Sequence, residues 1–369
     1  MGSAPCVSGA MWPRLALALC LALAASAARG EDPAPGNAAA GVRGWYLFPG
    51  VFYTPETRIG VAGVAGLHFG AAPGLPTSSA ELLVYGTQNR QVSAKLAALL
   101  FTGPASVVDG RLEASRFPAS WFGVGQGAPG AAEETYTNRF VDLAVSPQRR
   151  LGAALRVGPR LHLRREVLVD REPGSALAAS GAPGSGDWGA AGAGLEVVWD
   201  GRDDLFQPRS GSLVDVWYVH YPAALAAGTG AFGRGSVDAR AFFGLLPRHV
   251  LGLQGRVEVA HGDAPVTILP NVGGNDTFRG YVDGRYRDRL GWSAQAEWRF
   301  PVVWRLRGAV FAGAGYVARN PAELWSAAPR LAAGAGLRFR LTSTGASVRV
   351  DGAYGRDGAQ LYFLTLEAF

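Results

Sequence analysis

Cysteine is nearly absent. The chain has two, Cys6 and Cys20, both within the first 20 residues. The remainder can hold neither a disulfide framework nor thiol chemistry. Lysine is rarer still: Lys95 is the only one, and the net charge of +6 rests on arginine. Those arginines are dispersed with no basic run, which argues against a nucleic-acid patch. Charged residues make up 17% of the chain, below the ~25% of an ordinary soluble domain. Long hydrophobic runs are missing too. The longest, residues 15–28, falls short of the ~20 residues a spanning helix needs, so a helical membrane protein is excluded.

What is present is apolar and glycine-rich. Hydrophobic residues reach 48% and aromatic residues 10%, too much for a disordered chain. Glycine accounts for 52 of 369 residues, about 14%, against a usual ~7%. With 23 prolines and no triplet period, the glycine is neither collagenous nor simple linker. Two classes remain: an alanine-rich soluble protein and a membrane β-barrel.

Residues 1–28 read as a secretory signal peptide. Arg14 supplies the positive charge, residues 15–28 the apolar core, and Ala25-Ser26-Ala27 or Ser26-Ala27-Ala28 the small-residue cleavage site. Initiation at Met11 would shorten the leading segment to a normal length. Leu19 precedes Cys20 where a lipoprotein signal wants a small residue, which speaks against lipidation. The flanks, charge before and a polar, proline-bearing stretch over 31–37 after, do not suit a buried helix. Residues 29–43 are expected to form a periplasmic N-terminal linker, and 44–369 the barrel.

From Trp45 onward the period is two. Val237, Ala239, Ala241, Phe243 and Leu245 share one face; Ser236, Asp238, Arg240 and Gly244 share the other, with Phe242 the exception. Trp292, Ala294, Ala296, Trp298 and Phe300 oppose Ser293, Gln295, Glu297 and Arg299. Leu331, Ala333, Ala335, Leu337 and Phe339 oppose Arg330, Gly334, Gly336, Arg338 and Arg340, and Val348, Val350 and Tyr354 oppose Ser347, Arg349 and Asp351. A soluble sandwich alternates as well. Here the segments run to about ten to twelve residues, against the five or six of a soluble strand, and the polar face mixes glycine with arginine, which suits a crowded wet lumen.

Sixteen such segments are predicted: 45–53, 58–70, 79–88, 91–102, 108–122, 135–146, 150–168, 187–200, 212–221, 235–246, 250–261, 290–302, 305–318, 330–341, 347–356 and 360–369. An even count fits an all-β, sixteen-stranded antiparallel transmembrane barrel. Pro247-Arg248-His249 and Val303-Trp304 read as periplasmic turns, and residues 171–186 and 262–289 as external loops.

The second of those loops carries Pro270-Asn271-Val272-Gly273-Gly274-Asn275-Asp276-Thr277-Phe278-Arg279-Gly280-Tyr281. A glycine pair, a polar spacer and then Phe-Arg-Gly-Tyr resembles the sixth-loop motif of the BamA/TamA-type outer-membrane assembly family. This is the bacterial surface antigen superfamily, which also includes two-partner secretion transporters. The resemblance spans residues 44–369. Phe52-Tyr53-Thr54-Pro55-Glu56-Thr57 is similar to the family's first hairpin. Asp200-Gly201-Arg202-Asp203-Asp204 with Pro208-Arg209-Ser210-Gly211 is similar to its midpoint periplasmic turn. Gln295-Ala296-Glu297 is similar to its twelfth strand, and the terminal Phe369 to its assembly signal. The thirteenth-strand motif Phe-x-Asp-x-Gly reads Phe311-Ala312-Gly313-Ala314-Gly315, so Gly313 stands where the family has an aspartate.

The resemblance implies a loop that enters the lumen, with Arg279 paired to Glu297 or a neighbour such as Asp351, and Tyr281 against the inner wall. Independently of the family, a buried arginine requires a carboxylate. Glu297 lies on the face opposite Trp298 and Phe300, so it points inward if those aromatics meet lipid. The implied function is protein insertion or translocation across the outer membrane of a Gram-negative-type cell, without enzymatic activity or cofactor. The implied partners are outer-membrane lipid and the outer-membrane assembly machinery. Family members that do this work carry periplasmic transport repeats. Residues 29–43 are too few for one, which points to a separate periplasmic partner or a translocated protein. The alternative from another class is a passive, anion-favouring pore or structural barrel.

Two further patterns carry no chemistry. His68, His162, His220, His249 and His261 show no metal-ligand spacing, and His220 has no identifiable serine partner for a lipase. Gly123-Val124-Gly125-Gln126-Gly127 lacks the strand–loop–helix context of a phosphate loop and reads as a loop edge.

Overall fold

Alternation of apolar and polar residues becomes, in the computed structural model, a wall with one face to lipid and one to the lumen. The structure describes residues 41–54, 58–70, 75, 77–130, 133–171, 174–204, 207–275, 277–324, 326–340 and 347–365. The expected signal peptide, most of the expected linker, Asp276 and Phe369 therefore lie outside the described residues.

Sixteen long strands form the wall. They are β1 (Gly41–Thr54), β2 (Arg58–Gly70), β3 (Ser78–Thr87), β4 (Val92–Gly103), β5 (Ser106–Trp121) and β6 (Glu134–Arg150). Then come β7 (Leu155–Arg171), β8 (Trp188–Asp200), β9 (Gly211–Tyr221), β10 (Phe232–Leu246) and β11 (His249–Gly262). The last five are β12 (Leu290–Val303), β13 (Leu306–Ala318), β14 (Arg330–Arg340), β15 (Ser347–Gly355) and β16 (Gly358–Thr365). Each pairs antiparallel with the next, and β1 meets β16 to close the barrel. No helix among the described residues is long and apolar enough to cross a membrane.

The outward face is apolar: Leu47, Val61, Leu82, Leu143, Leu163 and Leu253 are all exposed in a single chain. Trp45, Trp199, Trp298 and Trp304 stand among them as interfacial aromatics. Inward glycines admit large rings. Tyr46 lies where a Cβ on Gly66 would sit 2.0 Å from its ring, and Phe52 likewise covers Gly60. Phe242, the exception to the alternation of its strand, is buried beside Val250.

Several strand ends depart from the sequence expectation, among them β7, which runs Leu155–Arg171 instead of 150–168. β1 begins at Gly41, earlier than predicted, and β6 runs on to Arg150 instead of stopping at 146. Pro147 reads as a breaker in sequence, yet it stays in register opposite Val108. Its missing N–H falls where the ladder to β7 is itself interrupted, between the pairs Val145–Leu161 and Arg149–Val157.

β1 and β16 form the seam that closes the wall. Among the described residues β1 and β16 share a single ladder pair, Tyr53 opposite Phe363. By contrast β15 and β16 run in register from Val348–Thr365 to Gly355–Gly358.

Most of the long connections lie at one end, the outer one, because external loops are the longer set in such barrels. There they knit together over an apolar cap that includes Trp121, Tyr136, Trp188, Tyr221, Val266 and Leu269. Backbone bonds tie neighbouring loops: Val266 N donates to Pro183 O (2.8 Å) and Gly125 N to Arg287 O (2.8 Å). The β7–β8 loop contains a one-turn helix, α1 (Ala176–Ala179), capped by the Ser175 side chain.

Candidate functional site

The β11–β12 connection, 263–289, turns back into the lumen. Asn271–Val272 pairs with Tyr286–Arg287, making a narrow neck whose tip hangs inside the barrel. Four glycines shape that tip, Gly273, Gly274, Gly280 and Gly284, each with positive φ. A Cβ on Gly273 would meet Val282 O at 2.2 Å, and one on Gly280, whose φ is +106°, would meet the Ala332 side chain at 2.8 Å. The Gly280 N–H donates to the Tyr362 hydroxyl on β16 at 3.1 Å. Within the tip, Gly274 N donates to Tyr281 O (3.0 Å) and Phe278 N to Gly274 O (3.2 Å). Gln295 of β12 donates to Thr277 O at 2.7 Å.

This turn delivers Arg279 to the wall with its side chain fully buried. Its Nη1 lies 2.7 Å from Glu297 Oε2 on β12 and 2.8 Å from Asp351 Oδ2 on β15. Its guanidinium stacks on Phe311 of β13, 3.5 Å from the ring centroid. Three further arginines complete a buried network. Arg299 Nε donates to Glu297 Oε1 at 2.7 Å. Arg338 bridges both acids, reaching Glu297 Oε2 at 3.1 Å and hydrogen-bonding Asp351 through both terminal nitrogens. Arg349 Nη1 lies 3.7 Å from Asp351 Oδ2. A carboxylate shared in this way is satisfied on both oxygens, which is the condition under which buried charge is tolerated.

The wall is crowded at Gly313, where the resembled motif has an aspartate. A Cβ on Gly313 would lie 2.7 Å from Ala294 O and 3.2 Å from Phe278 Cε2. The space an aspartate would fill holds the Phe278 ring, and Asp351, two strands on, supplies the second carboxylate instead. Phe278 stacks on Tyr281, with centroids 5.2 Å apart and planes at 7°. Tyr281 reaches the inner wall, where its hydroxyl donates to Leu331 O (2.8 Å) and accepts from Arg356 N (3.0 Å).

Higher in the loop, Arg285 pairs with Asp357 at 2.8 Å and donates to Ala128 O at 2.9 Å. Burial pushes the Asp288 carboxyl above its ordinary range. The glycine-rich Gly123–Gly127 segment sits in the β5–β6 connection, where Gln126 accepts from Val317 N at 3.1 Å and Arg330 donates to Gln126 O at 2.6 Å. It bolts one outer loop to the barrel rim.

Gly273, Gly274, Phe278, Arg279, Gly280, Tyr281 and Glu297 thus converge on one site, whereas Phe369 lies outside the described residues. The motifs did not bring in Arg299, Arg338, Arg349 or Tyr362. Inward parity on their strands was the available signal, and for the two acids and three arginines it is visible in the alternation. The histidines stand apart: His162 sits between Asp142 (3.1 Å) and the Tyr221 hydroxyl (2.6 Å), and His261 meets the Tyr218 hydroxyl at 2.9 Å. No metal-ligating cluster occurs among the described residues.

The arrangement is an electrostatic clamp holding a loop against the C-terminal wall. A family model described as the Omp85 superfamily domain matches residues 77–363. Among solved structures, BamA from Haemophilus ducreyi lacking POTRA domains 1-3 superposes with a TM-score of 0.60 at 11% identity, over 87% of this chain and 70% of that one. CdiB from Acinetobacter baumannii gives 0.57 at 15% identity, over 87% of this chain and 58% of that one. A search of curated proteins returned no match. At such identities the structural likeness is one of fold, and the match of the family model decides membership. The chain belongs to the Omp85 superfamily.

Proposed function

We propose that this barrel promotes the insertion of other outer-membrane proteins, acting through its β1–β16 seam and without enzymatic chemistry. The observation that carries the proposal is the placement of the clamp beside that seam: Gly280 N–H donates to Tyr362 of β16, the strand that meets β1 at Tyr53–Phe363. Strand edges in lipid must satisfy their N–H and C=O groups. A seam between the two terminal strands, once opened, offers a template on which an incoming strand can pair by β-augmentation. The exposed arginines of the periplasmic turns, Arg209, Arg248, Arg305 and Arg340, suit an acidic surface on a separate periplasmic partner that delivers the client.

A second reading, secretion through the lumen, draws support from a polar cavity of about 700 Å³ between the folded-in loop and the β3–β6 wall. Lys95, Glu113, Asn138 and Arg287 are among its lining residues. The passive anion pore is supported less well, because the lumen arginines of the clamp are consumed by carboxylates.

The test is reconstitution into lipid vesicles. Vesicles carrying the barrel should fold an unfolded eight-stranded client several-fold faster than empty vesicles, and planar bilayers should show only small, intermittent currents. A large steady anion-selective current with no acceleration would replace insertion with the pore.

A further inference from the structure

Most of the outward wall is apolar, but one sector is not. On β5, Ser115 points inward and bonds Ser93 and Glu113, so the next residue, Arg116, points outward. It stands directly opposite Arg139 on β6. One layer lower, Arg165 on β7 lies opposite Val141, itself an exposed outward residue. Three arginines on three adjacent strands thus share one patch of the outer surface. Like charges at cross-strand neighbours repel, so the sequence keeps them together against a folding cost.

One acid faces them, Asp170, 3.0 Å from Arg116. Arg116 also donates to Arg90 O at 3.0 Å, bringing the exposed Arg90 turn alongside. Neither Arg139 nor Arg165 has an acidic partner among the described residues.

Height fixes what the patch meets. Below it run Leu112, Val141, Leu143, Leu161 and Leu163, all exposed. From Val108 up to Arg116 is eight residues, which at roughly 3.3 Å each and ~40° tilt is about 20 Å, close to the ~25 Å apolar band of such barrels. The arginines therefore stand at the outer edge of the band, at the level of lipid headgroups. Beside them β8 is smooth. A Cβ on Gly189 would lie 3.0 Å from Arg165 Cδ, so glycine lets that side chain lie across the strand. Below Gly189, Ala191 and Ala193 stand opposite Leu163 and Leu161, leaving a shallow trough along the wall. Further round the barrel, Tyr218, His220 and His261 stand at the same end.

We propose that Arg116, Arg139 and Arg165 form a binding site for a phosphorylated glycolipid of the outer leaflet, its phosphates on the guanidinium groups and an acyl chain along the β7–β8 trough. Arginine is suited to this role because its planar fork takes phosphate through paired hydrogen bonds and is weakly hydrated.

The test uses the purified full chain in detergent and bis-phosphorylated lipid A as probe, with retained lipid counted by native mass spectrometry. The wild-type barrel should hold lipid A at least tenfold more tightly than its dephosphorylated form. Arg139→Ala with Arg165→Ala should lose that preference. Arg149→Ala, at the periplasmic end of β6, should keep it. Heat-modifiable gel mobility checks that each variant is folded, and single substitutions replace the double variant if it is not. Millimolar inorganic phosphate should not displace the lipid; full displacement would mean an ion site rather than a lipid site. Equal binding of the two lipid forms, or an unchanged preference in the double variant and in both single variants, would overturn the assignment.

Discussion

Arg279 meets two carboxylates from different strands, so its loss should be felt at both. Removing one partner of a desolvated pair costs roughly 3–5 kcal/mol, against 0–1 for a surface pair. Here Arg338 also bridges Glu297 and Asp351, which softens the loss of Arg279. We expect Arg279→Ala to destabilise the folded barrel by about 2–3 kcal/mol, read from the temperature at which gel mobility shifts. Double-mutant cycles with Glu297→Gln and with Asp351→Asn should both show coupling. Strict additivity in both cycles would mean that the arginine does not depend on either acid. Gly313 makes a second prediction. Restoring the family acid by Gly313→Asp should not rescue Asp351→Asn, because Phe278 fills the space. The double variant should melt below either single one, and recovery to wild-type stability would contradict that packing.

At the scale of elements, the β8–β9 turn shows how a few polar atoms set a connection. Burial pushes the Asp203 carboxyl upward, but backbone N–H groups of Arg209 and Ser210, at 2.9 and 3.1 Å, outweigh it and hold the group below its ordinary range. The sign follows from linkage. A carboxyl with a lowered folded pKa adds stability that is present above its unfolded value, near 4, and disappears as the pH falls through the folded value. Amide protection at Arg209 and Ser210, corrected for intrinsic exchange, should be full at neutral pH and fall below about pH 4. Asp203→Ala should remove it at every pH. Protection that survives in that variant would assign the order of the turn to something else.

The same scale shows what the sequence made legible. Period-two alternation located all sixteen strands, because a wall between lipid and water leaves each side chain only two choices. Arg279 and Glu297 were legible because a motif and a strand parity pointed at each other. The neck formed by Asn271–Val272 and Tyr286–Arg287 was not, since two-residue ladders leave no period. The part played by Gly313 was equally hidden: its meaning depends on the Phe278 ring, which arrives from 35 residues away in sequence. The end expected at 146 came short of Arg150 because a proline interrupts a strand only where its N–H is needed, and the ladder to β7 has a gap at Pro147.

For the whole molecule, the clamp and the seam occupy one side of the barrel. Arg279 ends on β12 and β15, Gly280 donates to Tyr362 of β16, and β16 faces β1 through Tyr53–Phe363. A folded barrel of this kind should migrate differently in gels before and after boiling and fractionate with the outer membrane. Recovery in the soluble periplasm would contradict it. Deleting Phe369 should lower insertion far more than a comparable deletion within residues 176–182; equal tolerance would argue against an end-of-chain signal. The most direct measurement joins the seam covalently. Tyr53→Cys with Phe363→Cys, oxidised to a disulfide in vesicles, should abolish accelerated folding of a client barrel, and reduction should restore it. Undiminished acceleration with the seam closed would contradict insertion through β1 and β16.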